Sequence, residues 1–367
     1  MEAGKGSADL EQEVLGQSLC TSCGACVNIC PYIKVVRDRV AVIEPCGLTE
    51  GKCYDFCPRT PTDIAALDKS VFGKTRSDFS LGPYISIEMA QAKDSEIRCR
   101  AQYGGVISAL MKYALDAGEI KNAVLTRPFD GAMMPASVVV EESRQLEECA
   151  GSNYVSSATL ARMNEATRQG KNSIGLVGIP CQVMALRKMQ ASRHDTGAKG
   201  VKLVIGLFCT WALSYKGFSE FLKKKVDLSQ VRRIDIPPPP ANVMVVETTA
   251  GDIRLSLDEV RKFIKPTCSV CYDMTSEFAD VSVGMVEGVE DWNTFIVRTP
   301  AGENFIDKAK KAGVINTKPL EETRLEHLKQ ASSIKKKRAV DAIQKRTNDK
   351  KNLLYLRLSA QEKKKFL

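Results

Sequence analysis

The alternation of apolar and polar residues divides the chain into segments typical of strands and segments typical of helices. Residues 84–89 alternate with a period of two, which predicts a strand with one buried face. Residues 106–118 place apolar side chains at helical spacing and end in a glycine, a common helix stop. Apolar runs at residues 121–126 and 137–140 predict two further strands. The pattern therefore mixes strands and helices from residue 84 onward.

Two consecutive strand–turn–helix units follow. Residues 173–177 and 201–207 predict strands, and residues 183–190 and 215–225 predict the helices after them. Cys181 and Cys209 follow these strands, and parallel strands end at one edge of a sheet, where open α/β sheets bind ligands. This order of elements predicts a mixed α/β body.

The remaining segments complete the chain with a connector, more strands and a helical end. They are a proline connector at 237–240, a hairpin from 243–247 and 252–257, strands at 279–284 and 295–297, and a basic helical region beyond Pro319. Residues 68–82, rich in Ser, Lys and Gly, predict a linker. We therefore expect three parts, at residues 1–67, 83–317 and 318–367.

The net charge of +9 over 367 residues is concentrated at one end. Residues 318–367 contain fifteen Lys and Arg against six Asp and Glu, and the rest of the chain is balanced. Two hypotheses remain open for this basic tail. It is a solvated end, or it docks an acidic partner surface through the apolar anchors Ile334, Ile343, Leu353, Leu354, Leu356 and Leu358.

Composition also narrows the location and the class of partner. No apolar run is long enough for a membrane span, and the first residues do not resemble a signal peptide. Thirteen cysteines without a secretion signal indicate a reducing, cytoplasmic location. Few aromatic residues and no fold motif accompany the basic tail, so nucleic-acid binding is not expected.

The first cysteine run carries the strongest chemical signal. Cys20, Cys23, Cys26 and Cys30-Pro31 have the spacing C-x2-C-x2-C-x3-C-P of bacterial ferredoxins. In that pattern three thiolates bind one 4Fe-4S cluster and the fourth binds a second cluster. Cys57-Pro58 closes a partner run and becomes the fourth ligand of the first cluster. Residues 1–67 are thus predicted to be a small ferredoxin-like unit with two clusters.

The second cluster lacks one regular ligand. Cys30, Cys46 and Cys53 remain for it, and the segment CGLTEGKC departs from the regular spacing. Either Glu50 or another non-cysteine ligand completes a 4Fe-4S cluster, or the site holds a 3Fe-4S cluster. The spacing leaves both alternatives open.

Four more cysteines form a second constellation. Cys181 and Cys209 are at predicted strand ends, and Cys268 and Cys271 form a C-x2-C turn before another strand. If the sheet gathers them, they bind zinc or a third 4Fe-4S cluster. Otherwise they are two buried thiols and an unrelated pair.

A glycine pair precedes the helix that begins at residue 106. Gly104-Gly105 allow close backbone approach, and a helix N-terminus favours a pyrophosphate, so this is a candidate dinucleotide site. The chain contains no G-x-G-x-x-G fingerprint and no phosphate-binding P-loop. A nicotinamide-binding Rossmann site is therefore not supported.

Six ordered motifs resemble the β-subunit family of coenzyme F420-reducing hydrogenases and F420-linked dehydrogenases, a flavin–iron–sulfur group that includes formate dehydrogenase β subunits. They are EIRCRAQYGGVISAL, GSNYVSS, VGIPCQVMALRK, GLFC, CSVCYD and ADVSVGMVEGVEDWNTFIVRT, and they cover about residues 15–300. Tyr103 departs from the family, which usually has a small acidic residue before the glycines.

The resemblance implies a set of cofactor-binding residues. FAD would be contacted by Gly104, Gly105, Val106, Ser108, Gly151, Ser152, Tyr154 and Ser156, and the cluster nearest the flavin would be held by Cys181, Cys209, Cys268 and Cys271. No catalytic side chain is assigned. The fold implied is a ferredoxin-like domain, an α/β FAD-binding domain and a basic helical tail.

The resemblance also implies a function. Hydride would pass between coenzyme F420 and FAD, and single electrons would then pass along two to three 4Fe-4S clusters to a partner subunit of a hydrogenase, formate dehydrogenase or heterodisulfide-reductase-type complex. One alternative is a flavin-free polyferredoxin that wires larger subunits. Another is a family member that uses NAD(P)H or ferredoxin in place of F420.

Overall fold

The computed structural model describes residues 4–44, 46–128, 134–194, 196–237 and 240–367. The strands of these residues are β1 (Ile33–Val36), β2 (Arg39–Val42), β3 (Thr62–Asp63), β4 (Ser86–Ala92), β5 (Asn122–Arg127), β6 (Ala136–Val140), β7 (Ile174–Gly178), β8 (Val201–Leu207), β9 (Val231–Asp235), β10 (Val243–Thr248), β11 (Gly251–Ser256), β12 (Val281–Met285), β13 (Asn293–Val297), β14 (Ile315–Pro319) and β15 (Leu356–Arg357).

The α-helices are α1 (Ser7–Leu10), α2 (Lys52–Asp55), α3 (Ile64–Phe72), α4 (Ser95–Arg100), α5 (Val106–Asp116), α6 (Thr159–Arg168), α7 (Pro180–Ala191), α8 (Tyr215–Lys223), α9 (Leu257–Val260), α10 (Pro300–Lys311), α11 (Glu322–Thr347) and α12 (Ala360–Phe366). A π-helical turn at Glu11–Leu15 continues α1. Short 3-10 turns occupy Ser143–Cys149, Gly197–Gly200, Leu228–Gln230, Arg261–Phe263 and Pro266–Cys268.

A mixed sheet of eight strands forms the centre of the molecule, in the order β14-β4-β13-β12-β8-β7-β5-β6. Strands β5, β7, β8 and β12 are parallel neighbours, and the outer strands pair antiparallel. The predicted mixed α/β body is confirmed. Its parallel centre brings four strand carboxyl ends to one edge.

The parallel strands are apolar because both faces of the sheet are covered. Leu203 and Ile205 of β8 share a core with Leu110 of α5 on one face. Val204 shares a core with Val183 of α7 on the other face. The helices on both faces fix the sheet between them, so the edge loops project from a rigid base.

Two predicted elements begin at different residues in the structure. The helix expected at 183–190 begins earlier, at Pro180, because proline suits the first helical turn and the Gln182 side chain accepts a hydrogen bond from the Ile179 N–H at 3.0 Å. The strand expected at 84–89 is Ser86–Ala92, since pairing with β13 and β14 extends it to the buried Ala90 and Ala92. Local periodicity could not show either shift.

A smaller sheet, in the order β11-β10-β9, packs beside the main one. Phe218 and Leu222 of α8 share a core with Met244 and Val246 of β10. The expected hairpin of β10 and β11 is confirmed. The expected proline connector at 237–240 lies partly outside the described residues.

The region predicted as a linker, residues 68–82, is largely packed against the body. Helix α3 occupies its first part. Asp68 is fully buried, and its carboxylate accepts hydrogen bonds from the Arg76 guanidinium at 2.8 Å. The Arg76 guanidinium also donates to Glu277 at 2.5 Å. The Ser- and Lys-rich composition did not reveal this buried ion pair.

The C-terminal segment (residues 318–367) wraps the body and forms part of its core. Val340 and Ile343 of α11 are fully buried, and β15 pairs in parallel with β3 near the other end of the chain. Of the six apolar anchors expected to meet a partner, four are buried within this chain, namely Ile343, Leu353, Leu356 and Leu358. Ile334 is 65% exposed. The segment is therefore not a solvated end.

Among the described residues, no helix has both the length and the apolar character needed to cross a membrane.

Candidate functional site

A cavity of about 860 Å³ lies at the carboxyl ends of the parallel strands. Leu125 of β5, Val177 of β7, Leu207 of β8 and Val283 of β12 form part of its wall. The expectation that ligands bind at this edge rested on the two strand–turn–helix units. The structure extends that edge to four neighbouring strands, which gives the cavity an apolar floor.

Most of the residues expected to contact a flavin line this cavity. On one side are Gly105, Val106 and Ser108 at the start of α5, and on the other Gly151, Ser152, Tyr154 and Ser156. Two segments about fifty residues apart in sequence are thus brought to face one space.

The two glycines before α5 have different roles. Gly105 adopts φ +69°, and a Cβ there would lie 3.1 Å from Ile97 Cγ2, so it makes the left-handed turn into the helix. A Cβ at Gly104 would lie 2.9 Å from the Ala90 carbonyl oxygen and from Asn293 Oδ1. Gly104 therefore packs against the sheet, behind the cavity wall, and allows α5 to approach closely.

Gln102 and Asp235, which were not predicted, contact the predicted residue Tyr154 on the wall opposite α5. The Tyr154 hydroxyl accepts hydrogen bonds from the Ile236 N–H at 2.9 Å and from Gln102 Nε2 at 3.1 Å. The same hydroxyl lies 3.4 Å from Asp235 Oδ1. Burial, followed by the charge of Asp235, raises the pKa of Tyr154, so the phenol stays protonated. These contacts join two loops and the end of β9, which are far apart in sequence, so motif spacing could not predict them.

Gln182 holds the floor beneath the strand ends. Its Nε2 donates to the Ser157 carbonyl and to Thr159 Oγ1, both at 2.9 Å, and Thr126 Oγ1 lies 2.9 Å from Ser157 Oγ. Tyr103, the noted departure from the family, also lines the cavity, and burial raises its pKa to about 12. The motifs VGIPCQ and GSNYVSS, which contain Gln182 and Ser157, were the sequence signals for this network.

The sheet-edge cysteines (Cys181, Cys209, Cys268 and Cys271) converge beside the cavity. Cys181 is at the first turn of α7, and Cys209 follows β8 and lines the cavity itself. Burial raises the pKa of Cys181, and the nearby Cys271 raises it further. Burial also raises the pKa of Cys209, which interacts with the other three thiols. The two strand ends and the C-x2-C turn therefore meet.

The N-terminal cysteines divide into two neighbouring sets. Burial raises the pKa of Cys23 to about 12, with further contributions from Cys57 and Cys20. Cys26 interacts electrostatically with Cys20, Cys23 and Cys57 and, less strongly, with Cys53. The first set is thus Cys20, Cys23, Cys26 and Cys57. This grouping matches the one expected from ferredoxin spacing.

The second set contains three thiols. Burial raises the pKa of Cys53 to about 11, and Cys30 and Cys46 add repulsion. Glu50, the alternative oxygen ligand, forms an exposed ion pair with Arg193 at 2.5 Å. Among the described residues, no group of three or more His, Cys, Asp or Glu side chains is placed to hold a single metal ion. A 4Fe-4S cluster requires a different arrangement of ligands, because each of its cysteine thiolates binds a separate iron.

The cysteine sets lie close to one another and next to two lysines, of which Lys335 is buried and Lys188 is partly buried. Cys181 interacts with Cys23 of the first N-terminal set. Lys188 Nζ donates to the Cys57 carbonyl at 2.7 Å, and Lys335 Nζ donates to the Cys209 carbonyl at 2.6 Å. Neither lysine was predicted, because neither has a recognisable spacing from a cysteine.

The class of protein follows from family models that match most of the chain. Residues 88–164 match the N-terminal part and residues 171–323 the C-terminal part of the coenzyme F420 hydrogenase/dehydrogenase beta subunit. Residues 14–32 match a 4Fe-4S binding domain. The chain belongs to the coenzyme F420 hydrogenase/dehydrogenase beta-subunit family, and it is an oxidoreductase subunit with an N-terminal 4Fe-4S binding region.

Particular relatives support this membership. The chain is 34% identical over 266 residues to the coenzyme F420 hydrogenase subunit beta of Methanothermobacter thermautotrophicus, covering 71% of this chain and 94% of that protein. It is 30% identical over 333 residues to the coenzyme F420-dependent sulfite reductase of Methanocaldococcus jannaschii, covering 86% of this chain and 50% of that protein.

A solved structure shares the fold. A chain of the F420-reducing NiFe hydrogenase complex from Methanosarcina barkeri superposes with a TM-score of 0.66 at 30% identity. The match covers 72% of this chain and 94% of that chain.

Proposed function

We propose that this protein is a flavin- and iron–sulfur-containing electron-transfer subunit that exchanges hydride with coenzyme F420. Single electrons then pass between its flavin site and a partner subunit through 4Fe-4S clusters. The observation that carries this proposal is the shared wall of the cavity and the sheet-edge cysteines, at Cys209. A hydride carrier at this cavity lies next to a one-electron path.

The cavity suits FAD. The N-terminus of α5 directs backbone amides and a positive dipole toward the space between Gly105 and Ser108, as a pyrophosphate requires. Gly151, at φ +100°, has no atom within 4 Å of an added Cβ, so that side of the wall leaves room for a bulky group. When bound, FAD would supply the conversion between a two-electron hydride and single electrons. Tyr154, held by its hydrogen bonds, would orient the opposite face.

The cysteine sets suit a linear sequence of clusters. The sheet-edge cysteines would hold the cluster nearest the cavity. Through Cys181 and Cys23 this site neighbours the first N-terminal set, and through Cys26 and Cys53 that set neighbours the second. Because Glu50 pairs with Arg193, the second set favours three thiolates with no carboxylate, as in a 3Fe-4S cluster.

The hydride carrier and partner are inferred from relatives. Coenzyme F420 appears in the names of both the hydrogenase subunit and the sulfite reductase. A subunit of a hydrogenase, formate dehydrogenase or heterodisulfide-reductase-type complex would exchange electrons with the N-terminal clusters. A flavin-free polyferredoxin is the less favoured candidate, because it leaves the large cavity at the sheet edge without a role.

Cofactor content tests the flavin site. Protein purified without oxygen should show flavin bands and release FAD on denaturation, as identified by mass spectrometry. Reduced F420 should bleach the flavin and the clusters faster than NADPH at equal concentration. Purified protein that contains iron but no flavin would favour the polyferredoxin alternative, and faster reduction by NADPH would replace F420 as the carrier.

Cys181→Ala tests the sheet-edge cluster. Bound iron should fall by about one 4Fe-4S cluster, because four thiolates hold each such cluster. Cys149→Ala is the matched control, since Cys149 lines the cavity but is not among the sheet-edge cysteines. Equal iron in both variants would contradict the assignment of the sheet-edge cysteines.

A further inference from the structure

Two buried cations from opposite ends of the chain lie against the sheet-edge cysteines. Lys335 of α11 is 3% exposed, and its Nζ donates to the Cys209 carbonyl at 2.6 Å. Arg59, just after Cys57 and Pro58, is 5% exposed. Its Nε donates to Thr267 Oγ1 at 3.0 Å, one residue before Cys268. Both charges are therefore carried to one site by long-range packing.

The environment of these cations points to the cysteine sulfurs as their counter-charges. Removing a cation from water is costly unless an anion compensates it. The strongest charge interactions of Lys335 are with Cys271 and Cys209, ahead of Asp273. Arg59 stacks on the Tyr355 ring at 4.6 Å and interacts with Cys271 and Cys181. When the site holds a cluster, its thiolates would supply the negative charge that both cations need.

The neighbours of Lys335 show that the arrangement is specific to that position. Lys336 is fully buried and forms an ion pair with Glu277 at 2.5 Å. Lys337 is exposed. The three consecutive lysines therefore lie in three different environments: Lys335 faces the sheet-edge cysteines, Lys336 faces a carboxylate and Lys337 faces solvent. The matched family model ends at residue 323, before all three.

We propose that Lys335 and Arg59 are positioning residues that raise the reduction potential of the cluster held by the sheet-edge cysteines. The inference rests on the proposed function, which places a cluster there. Each reduction adds one electron, and therefore one negative charge, to a site that already contains four thiolates. A cation in a buried, low-dielectric environment stabilises that added charge. The C-terminal segment is then part of the redox site as well as of the core.

Reduction potentials of the anaerobically purified full chain test the proposal. The cluster in question is identified as the electron paramagnetic resonance signal that Cys181→Ala removes. In Lys335→Met, which keeps the length of the side chain and removes its charge, we expect the one-electron reduction equilibrium to become at least tenfold less favourable. That change is a shift of about 59 mV to more negative potential. Lys337→Met, the exposed control, should leave the potential unchanged, and Lys335→Arg should restore it.

The variants separate a charge effect from a structural one. Lys335→Gln keeps a donor for the Cys209 carbonyl and replaces the methionine variant if that one does not fold. Arg59→Met should also shift the reduction potential of the same cluster to a more negative value. A normal iron content with an unchanged potential in the Lys335 and Arg59 variants overturns the inference and leaves the proposed function standing. If Cys181→Ala loses neither iron nor a signal, the cluster assignment fails, and the inference fails with it.

Discussion

The N-terminal unit (residues 1–67) and the C-terminal segment both contribute apolar side chains to the main core of the body, but their polar contacts with the body differ. Beyond this shared core, polar side chains of the body donate hydrogen bonds to the backbone of the N-terminal unit. Asn164 Nδ2 donates to the Val27 carbonyl at 2.8 Å, and Lys265 Nζ donates to the Asp38 carbonyl at 3.0 Å. The cysteine-bearing loops are thereby held without a continuous helix or sheet.

The C-terminal segment is attached by apolar burial and buried ion pairs. Val340 and Tyr355 are part of the main core, and Lys336 pairs with Glu277. The Tyr355 hydroxyl donates to the Val270 carbonyl at 2.8 Å, inside the C-x2-C turn. Hydrogen bonds to the backbone therefore position the cysteine-bearing loops of the N-terminal unit, whereas the C-terminal segment acts as a strap that stabilises the body and contacts the sheet-edge cysteines.

Truncation after Pro319 should have the largest effect. It removes several fully buried side chains, each worth about 2–5 kcal/mol, from a fold whose total stability is about 5–15 kcal/mol. We expect loss of soluble, folded protein, measured by yield and circular dichroism. Deletion of Leu367 alone, which is 54% exposed, is the control and should leave the yield unchanged. A truncated chain that folds and keeps its cofactors would show that the segment is a dispensable arm.

Lys336→Ala should destabilise the body by about 3 kcal/mol, because breaking a buried ion pair leaves a carboxylate without one of its partners. Glu277 would keep its contact with Arg76. Chemical denaturation of the purified protein measures the change. Lys337→Ala should stay within about 0.5 kcal/mol of the unaltered protein. Equal stability of the two variants would argue against the strap.

Lys265→Met should loosen the N-terminal unit without unfolding the body. The lysine Nζ lies 3.5 Å from the buried Asp38 carboxylate and donates to Ser22 Oγ at 2.8 Å. Loss of the partner of a buried charge costs about 1–3 kcal/mol or more. We expect limited proteolysis to release the N-terminal unit faster than in Lys262→Met, an exposed control. Equal cleavage rates would contradict the proposed attachment.

Gly105→Val should give the smallest loss of stability, about 1–3 kcal/mol from the left-handed backbone, and should lower flavin occupancy. The new side chain would press on Ile97 and shift the N-terminus of α5. Gly118→Val is a matched control, because Gly118 ends the same helix region at φ +70° with no atom within 4 Å of an added Cβ. Equal flavin occupancy in the two variants would contradict the placement of FAD at the start of α5.

The sequence by itself determined the features that depend on local spacing. Ferredoxin spacing assigned Cys20, Cys23 and Cys26 to one set because ligand order within a loop is a local property, and the paired second run of the same motif added Cys57. The apolar run at residues 201–207 located β8 at the residues where the structure has it, since a strand covered on both faces is a nearly continuous apolar run. The strand-end positions of Cys181 and Cys209 likewise predicted one edge of the sheet.

Only the tertiary structure decided which distant groups share a buried environment. Nothing in the runs Lys335-Lys336-Lys337-Arg338 or Asp68–Arg76 distinguishes a buried cation from a solvated one, because burial is set by the elements that pack from elsewhere. The same limit applies to Gln102, Tyr154 and Asp235, which come from two loops and the end of β9. A charge run predicts solvent exposure on average, but long-range packing against Glu277 and Cys209 decides where each lysine of this segment lies.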